Sequence, residues 1–118
     1  MAVNAEYQEY YTKLHDDFRE CGDFFAAIGN ETRQLIILEA IKAGPEGIRP
    51  GEIATHVNLS RPAVSHHLKI LSDAGVFHIR EVGTMNYYFI CIKDLLPLLE
   101  KTHLDLKALI EAMYGDKE

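Results

Sequence analysis

The segment at residues 50–75 holds two helix signals so close together that only a tight turn fits between them. Pro50 favours the first turn of a short helix running to His56, where its missing N–H costs no hydrogen bond. Ser60 is a good N-cap for a second helix, and Gly75 is typical of the position just past a helix end. Two helices joined this tightly predict a helix-turn-helix.

The second of these helices has one apolar and one polar face. Val64, Leu68 and Leu71 repeat at the spacing of a buried helical stripe. His66 and His67 point about 100° apart on the helix, so they do not act as a pair on one substrate. Because His67 lies at the margin of the stripe, we interpret it as a partly buried histidine satisfied locally rather than as a base contact.

After this helix the pattern changes to strict alternation. Val76, His78 and Arg80 alternate with Phe77, Ile79 and Glu81. Gly83-Thr84 offers a turn, and residues 85–92 are rich in aromatic and β-branched side chains. We predict a β-hairpin over residues 76–92, which forms a wing behind the helix-turn-helix.

A third apolar pattern lies near the N-terminus. Its members are Tyr7, Tyr11, Leu14, Phe18, Cys21, Phe25 and Ile28. Steps that alternate between four and three predict one continuous helix with a seam that packs against another helix, for example from a second subunit. We interpret Cys21 as a small buried apolar residue in that seam.

Capping and terminating residues predict two more helices. Asn30 is a good N-cap for a helix that Gly44-Pro45 ends, and Asp94 is expected to cap the last helix. The residues expected to face inward from the first of these are Leu35, Ile36, Leu38 and Ile41. The broad apolar face of the last helix comprises Leu95, Leu98, Leu99, Leu106, Leu109, Ile110 and Met113.

Together these elements predict a mostly α fold with a small β-hairpin wing, a winged helix-turn-helix in a single domain over residues 1–118. A three-helix core with a wing buries only part of the apolar surface. We therefore expect residues 1–29 and 94–118 to be dimerisation helices that form a homodimer.

The net charge of −6 is spread unevenly. Residues 1–31 carry two basic and seven acidic residues, whereas residues 60–80 carry three basic residues and one acidic residue. Since DNA binding depends on the local potential, the acidic total does not exclude it. With no apolar run long enough for a bilayer and an acidic, aromatic N-terminus unlike a signal peptide, we expect a cytoplasmic protein and no membrane partner.

The segments "AAIGNETRQLIILEAI", "GEIATHVNLSRPAVSHHLKILSDAGVF" and "MNYYFI" resemble the ArsR/SmtB family of bacterial and archaeal winged-helix repressors. The resemblance runs from about residue 25 to residue 92. Its specific part is the pattern S-x-x-x-V-S-x-H-L-x-x-L, formed here by Ser60, Val64, Ser65, His67, Leu68 and Leu71. The flanking helices match the family's dimerisation elements by position more than by sequence.

The resemblance implies a homodimeric repressor that binds double-stranded operator DNA of inverted-repeat symmetry, with one recognition helix per major groove. It also implies an effector that weakens DNA binding and so derepresses transcription. The residues that we expect to contact DNA, opposite the buried stripe and on the wing, are Ser60, Arg61, Pro62, Ala63, Ser65, His66, Lys69 and Arg80. Wings of this family commonly carry several basic residues, but residues 80–86 hold one arginine beside a glutamate, which predicts modest affinity and a modest salt dependence.

Metal sites of this family do not match the chain, so we expect no metal or other cofactor. The thiolate site needs C-x-C where Arg49 and Gly51 stand, and the site on the last helix would fall on Asp94, Leu96, Lys107 and Ile110. A cross-subunit cluster of His15, His103 and a carboxylate is a further option. So is a thiol-based redox sensor that uses Cys21 and Cys91. The effector is otherwise an unidentified small molecule, another protein, or absent.

The sequence also bears on two other classes of function. An enzyme is not expected, since the chain has no glycine-rich phosphate loop, no zinc-hydrolase motif and no nucleophile with a recognisable base. A winged-helix interaction module with weak or no DNA binding is the alternative that the acidic balance and the sparse wing favour.

Overall fold

The computed structural model describes residues 5–91, 93 and 95–115, which form six helices and one two-stranded sheet. The elements are α1 (Ala5–Glu20), α2 (Gly22–Ile28), α3 (Glu31–Ala43), α4 (Pro50–His56), α5 (Arg61–Asp73), β1 (Phe77–Val82), β2 (Met85–Ile90) and α6 (Leu96–Tyr114). They fall into two compact units: α1 with α6, and the elements from α2 to β2. The mostly helical class with a β-hairpin is confirmed. No described helix is both long and apolar enough to span a bilayer.

The predicted helix-turn-helix is present as α4 and α5. Oγ of Ser60 accepts a hydrogen bond of 3.3 Å from the N–H of Ala63, so the predicted N-cap is confirmed. Asn58 adopts a left-handed conformation with φ of 55° in the turn between the helices, and Gly75 does so with φ of 81° after α5. The predicted stripe of Val64, Leu68 and Leu71 is buried.

The predicted wing is an antiparallel hairpin closed by a two-residue turn between Val82 and Met85. Ile48 and Tyr88 exchange two backbone hydrogen bonds of 2.9 Å, which attach the hairpin to the segment before α4. Gly47 permits this approach, because its φ is 93° and a Cβ there would lie 2.7 Å from the carbonyl oxygen of Tyr88. The hairpin is therefore held to the helices at its middle.

The prediction of one continuous N-terminal helix is wrong. The first helix ends at Glu20, Cys21 lies in a turn, and α2 begins at Gly22. The apolar spacing continues through the break, but glycine in a helix interior costs about 1 kcal/mol relative to alanine, and the periodicity ignored that cost. The burial of Cys21 is confirmed.

The prediction of which residues of α3 face inward is also partly wrong. Leu35, Leu38 and Ile41 are exposed in the single chain, whereas Ile36 and Ala40 are buried. Because α3 is apolar on most sides, spacing alone did not distinguish the face that packs on the core from the face that remains uncovered.

In the other unit, α1 packs against α6. Cys21, Thr102 and Leu109 are buried there, and so is the carboxylate-bearing Asp17. The expected cap Asp94 lies outside the described residues, and Leu95 occupies the N-cap position without a side-chain hydrogen bond. The apolar side chains of α6 that are exposed in the single chain are Leu96, Leu104, Leu106, Ile110, Met113 and Tyr114.

Candidate nucleic-acid interface

The predicted DNA-contact residues of α5 and its cap lie mostly on one exposed side. Ser60, Arg61, Pro62, Ser65, His66 and Lys69 are exposed, and Ala63 is half-buried. The buried stripe of α5 faces the opposite way, into the core. One side of the helix therefore fixes it to the protein while the other presents hydroxyl, imidazole, guanidinium and ammonium groups to solvent, which are the groups that contact phosphates and base edges.

Lys69, one of the cations on this face, is paired with a carboxylate of its own helix. Nζ of Lys69 lies 3.0 Å from Oδ2 of Asp73 one turn further along α5, and both side chains are largely exposed. Such a solvent-exposed pair on a helix contributes only about 0.3–0.5 kcal/mol. A phosphate can therefore replace Asp73 as the partner of Lys69 at small cost.

His67 is half-buried at the edge of α5, as the sequence predicts. Its Nδ1 lies 3.4 Å from Nη1 of Arg33, whose Nε donates a 2.6 Å hydrogen bond to the carbonyl of Ala27. Burial, with the neighbouring charges of Arg33 and then His66, lowers the pKa of His67. A neutral His67 can accept from Arg33, so the imidazole connects α5 to α3 and to the end of α2.

Arg80, the one arginine of the wing, is directed back to its own chain. Its Nη2 donates a 2.7 Å hydrogen bond to the carbonyl of Glu46, and its guanidinium lies 5.3 Å from the ring centroid of Tyr87 across the hairpin. Its DNA contact stays a prediction, but these contacts hold the charge beside the segment that precedes α4.

A cleft of about 460 Å³ lies between α4, the start of α5 and the turn of the hairpin. Its lining residues are Arg49, Pro50, Gly51, Glu52, Thr55, His56, Arg61, Thr84, Met85 and Asn86. The sequence did not predict a DNA contact for Arg49, because this position was compared only with the cysteine of the family's metal site. The available signal was a cation directly before the first helix of a helix-turn-helix.

The metal and thiol candidates stay predictions. Within residues 5–91, 93 and 95–115, no three histidine, cysteine, aspartate or glutamate side chains lie close enough together to hold a metal ion. Cys21 belongs to the α1–α6 unit and is buried, with Sγ 3.7 Å from Oγ1 of Thr102. Cys91 belongs to the other unit and is half-buried.

Residues 31–76, from α3 through α5, match the family described as "Bacterial regulatory protein, arsR family". The chain is also 42% identical over 64 residues to the transcriptional repressor SdpR of Bacillus subtilis, an overlap of 54% of this chain and 68% of SdpR. The chain belongs to the arsR family. As an arsR-family protein it is a DNA-binding transcriptional regulator, and α4 and α5 are its helix-turn-helix.

Solved structures of arsR-family proteins have the same fold. An ArsR-like transcriptional regulator from Rhodococcus sp. RHA1 superposes with a TM-score of 0.67 at 26% identity, over 86% of this chain and 95% of that one. The homodimeric winged helix-turn-helix DNA-binding domain of Mb0332 from Mycobacterium bovis superposes with a TM-score of 0.54 at 25% identity, over 94% and 92% of the two chains. The predicted winged helix-turn-helix is thus confirmed.

Proposed function

We propose that this arsR-family regulator is a homodimeric repressor that binds operator DNA of inverted-repeat symmetry and is released by an effector. The main support for DNA binding is the exposed polar face of α5, which lies opposite the buried stripe that fixes the helix to the core. Repression is supported by the similarity to SdpR, which is named a transcriptional repressor. We keep a cytoplasmic location and the absence of catalysis as parts of this proposal.

Dimerisation is supported by apolar side chains that the single chain leaves uncovered. On α6 these include Leu106, Ile110 and Met113, and on α1 they include Tyr11 and Phe18. Exposed apolar side chains that share a helix face in this way are typical of protein–protein contacts. The similar Mb0332 domain is described as homodimeric. A two-fold dimer would present two copies of α5 to half-sites about 34 Å apart, one turn of DNA.

The test is a gel shift with the DNA upstream of the protein's own gene, with Arg61→Ala and His66→Ala beside the wild type. Arg61→Ala should weaken operator binding through a lost base or phosphate contact, and His66→Ala by about 1–3 kcal/mol as a side chain that reads a base, and both should leave the dimer intact. Leu68→Ala is the matched control for damage to the fold, since truncation of a buried leucine costs about 2–5 kcal/mol of stability. Unchanged binding by both Arg61 and His66 variants would refute the assignment of α5.

The alternative is a winged-helix interaction module, and the same gel shift separates it from a repressor. No shift by the wild type at low salt would favour the module. The redox alternative is tested by repeating the titration with oxidant and with reductant, using Cys21→Ser and Cys91→Ser. The complete burial of Cys21 is an obstacle to its oxidation in the folded chain. Adding a panel of metals to the same titration tests the proposal that no cofactor is needed.

A further inference from the structure

The hairpin of this protein presents unusually little charge for a DNA-binding wing. Across residues 77–90 the one arginine or lysine is Arg80. Its guanidinium is engaged by the carbonyl of Glu46 and by the ring of Tyr87. Moving Arg80 onto DNA would forfeit both interactions. Cations of another element can therefore meet a phosphate beside the hairpin turn without breaking these contacts.

The cleft beside the hairpin turn has the required charges. Arg49, immediately before α4, and Arg61, at the start of α5, both line it. Glu52 is the carboxylate of its lining, and His56 is paired with Glu39 through a contact of 2.8 Å between Nδ1 and Oε2. Two guanidinium groups against one carboxylate leave the cleft net cationic, and guanidinium forks match phosphate oxygens well.

The guanidinium of Arg61 lies close to Gly51 of the neighbouring helix α4. A Cβ on Gly51 would lie 3.3 Å from Nη1 of Arg61, which is closer than an ordinary van der Waals contact. Glycine therefore lets the arginine lie across α4, at the edge of the cleft. From the hairpin, Thr84 and Asn86 line the same cleft and add neutral hydrogen-bonding residues to it.

We propose that this cleft binds a phosphodiester of the DNA backbone, with Arg49 and Arg61 as its cationic ligands and the polar hairpin turn as its opposite wall. Arg80 then serves the fold and not the DNA. The inference rests on the proposed function, because it assumes that the chain binds duplex DNA. It adds Arg49 to the residues that determine affinity and removes Arg80 from them.

The experiment compares Arg49→Gln with Arg80→Gln. Each variant removes one positive charge, the first from the proposed phosphate site and the second from the hairpin. Operator and random-sequence duplexes are titrated over a series of salt concentrations. Because a phosphate contact is independent of sequence, Arg49→Gln should weaken both duplexes by the same factor, about tenfold. It should also reduce the slope of log K against log salt by about 0.9 for each phosphate that the variant no longer neutralises. Arg80→Gln should leave the slope unchanged.

Arg61→Gln provides a second variant that removes a charge of the cleft. It should weaken both duplexes and reduce the salt slope as Arg49→Gln does, while helical circular dichroism stays at the wild-type level. If the wild type binds the operator and Arg49→Gln keeps the full salt slope, the proposed phosphate site in the cleft is wrong but the proposed function stands. A reduced slope in Arg80→Gln would overturn that site as well. A wild type that binds neither duplex would overturn the proposed function and the cleft with it.

Discussion

At the scale of single residues, Arg33 and His67 connect three helices of the DNA-binding unit. Arg33 lies on α3, and its guanidinium donates to the carbonyls of Ala26 and Ala27 near the end of α2. The same group lies against Nδ1 of His67 on α5. The buried side of α5 is thus held by a polar contact in addition to its apolar stripe, and that contact requires an uncharged imidazole.

The first prediction is a loss of stability on mild acidification. The pKa of His67 is lowered in the folded chain by burial and by Arg33, so the unfolded chain binds the proton more readily. Stability from this residue is fully present above the unfolded pKa, about 6.5, and is lost as pH falls through the folded pKa. Urea unfolding from pH 8 to pH 5 measures it.

His67→Gln supplies the comparison, because its amide oxygen can accept from Arg33 but the side chain does not titrate. The variant should lose less stability than the wild type over that range, whereas His103→Gln on α6 should follow the wild type. Parallel curves for His67→Gln and the wild type would contradict the assignment.

At the scale of elements, the position of the hairpin depends on a single glycine before α4. Gly47→Ala should destabilise the chain by about 1–3 kcal/mol, because alanine at φ of 93° is strained and its Cβ would meet the carbonyl of Tyr88. Chemical denaturation measures the change. Gly22→Ala is the matched control, since nothing lies within 4 Å of a Cβ there, and it should be neutral or slightly stabilising. Equal effects would show that the hairpin tolerates a side chain at its attachment.

A second feature at this scale is a carboxyl pair that joins α1 and α6. Asp17 is 1% exposed, and Nζ of Lys101 lies 2.6 Å from its Oδ1. A hydrogen bond with Asp105, followed by Lys101, lowers the pKa of Asp17, and the same bond followed by burial raises the pKa of Asp105. Asp105 therefore keeps its proton to a higher pH than Asp17 does.

The corresponding prediction concerns how the stability of the chain changes as pH rises from 4 to 8. Stability from Asp105 is complete below its unfolded pKa, about 3.9, and is lost as pH rises through its raised folded pKa. Stability from Asp17 has the opposite sign, being present above the unfolded pKa and lost in acid. Asp105→Asn is neutral at every pH, so its stability relative to the wild type should increase as pH rises from 4.

Thermal melts over pH 4–8 provide the measurement, and Asp16→Asn at an exposed position of α1 provides the control. A constant difference between Asp105→Asn and the wild type at every pH would show that the two carboxyls share no proton.

At the scale of the whole molecule, the uncovered apolar face of α6 gives the proposed dimer a direct test. Ile110 is 48% exposed in the single chain, and a glutamate there would place a charge in any apolar interface on that face. Ile110→Glu should shift the protein from dimer to monomer in light scattering and weaken operator binding. Ile110→Leu, which keeps an apolar side chain at the same position, should retain the dimer. A dimeric Ile110→Glu would place the interface elsewhere.

Much of the DNA-binding unit was predictable because its signals are local. The cap at Ser60, the proline at Pro50 and the glycine at Gly75 act within one helical turn, and the change of period after Gly75 marks the hairpin. The break at Cys21 was missed because an apolar repeat says nothing about the backbone between its members. The exposed face of α3 was missed because an apolar helix offers more than one face for burial.

The sequence by itself determined the order of the elements from α3 onward, the helix-turn-helix and the polar face of α5, since each follows from residues near one another along the chain. Only the tertiary structure decided that Arg80 contacts Glu46, that Arg49 and Arg61 share a cleft with the hairpin turn, and that Asp17 lies beside Lys101. The partners within each of these contacts lie far apart in sequence. Their meeting depends on how whole elements pack, which no local pattern encodes.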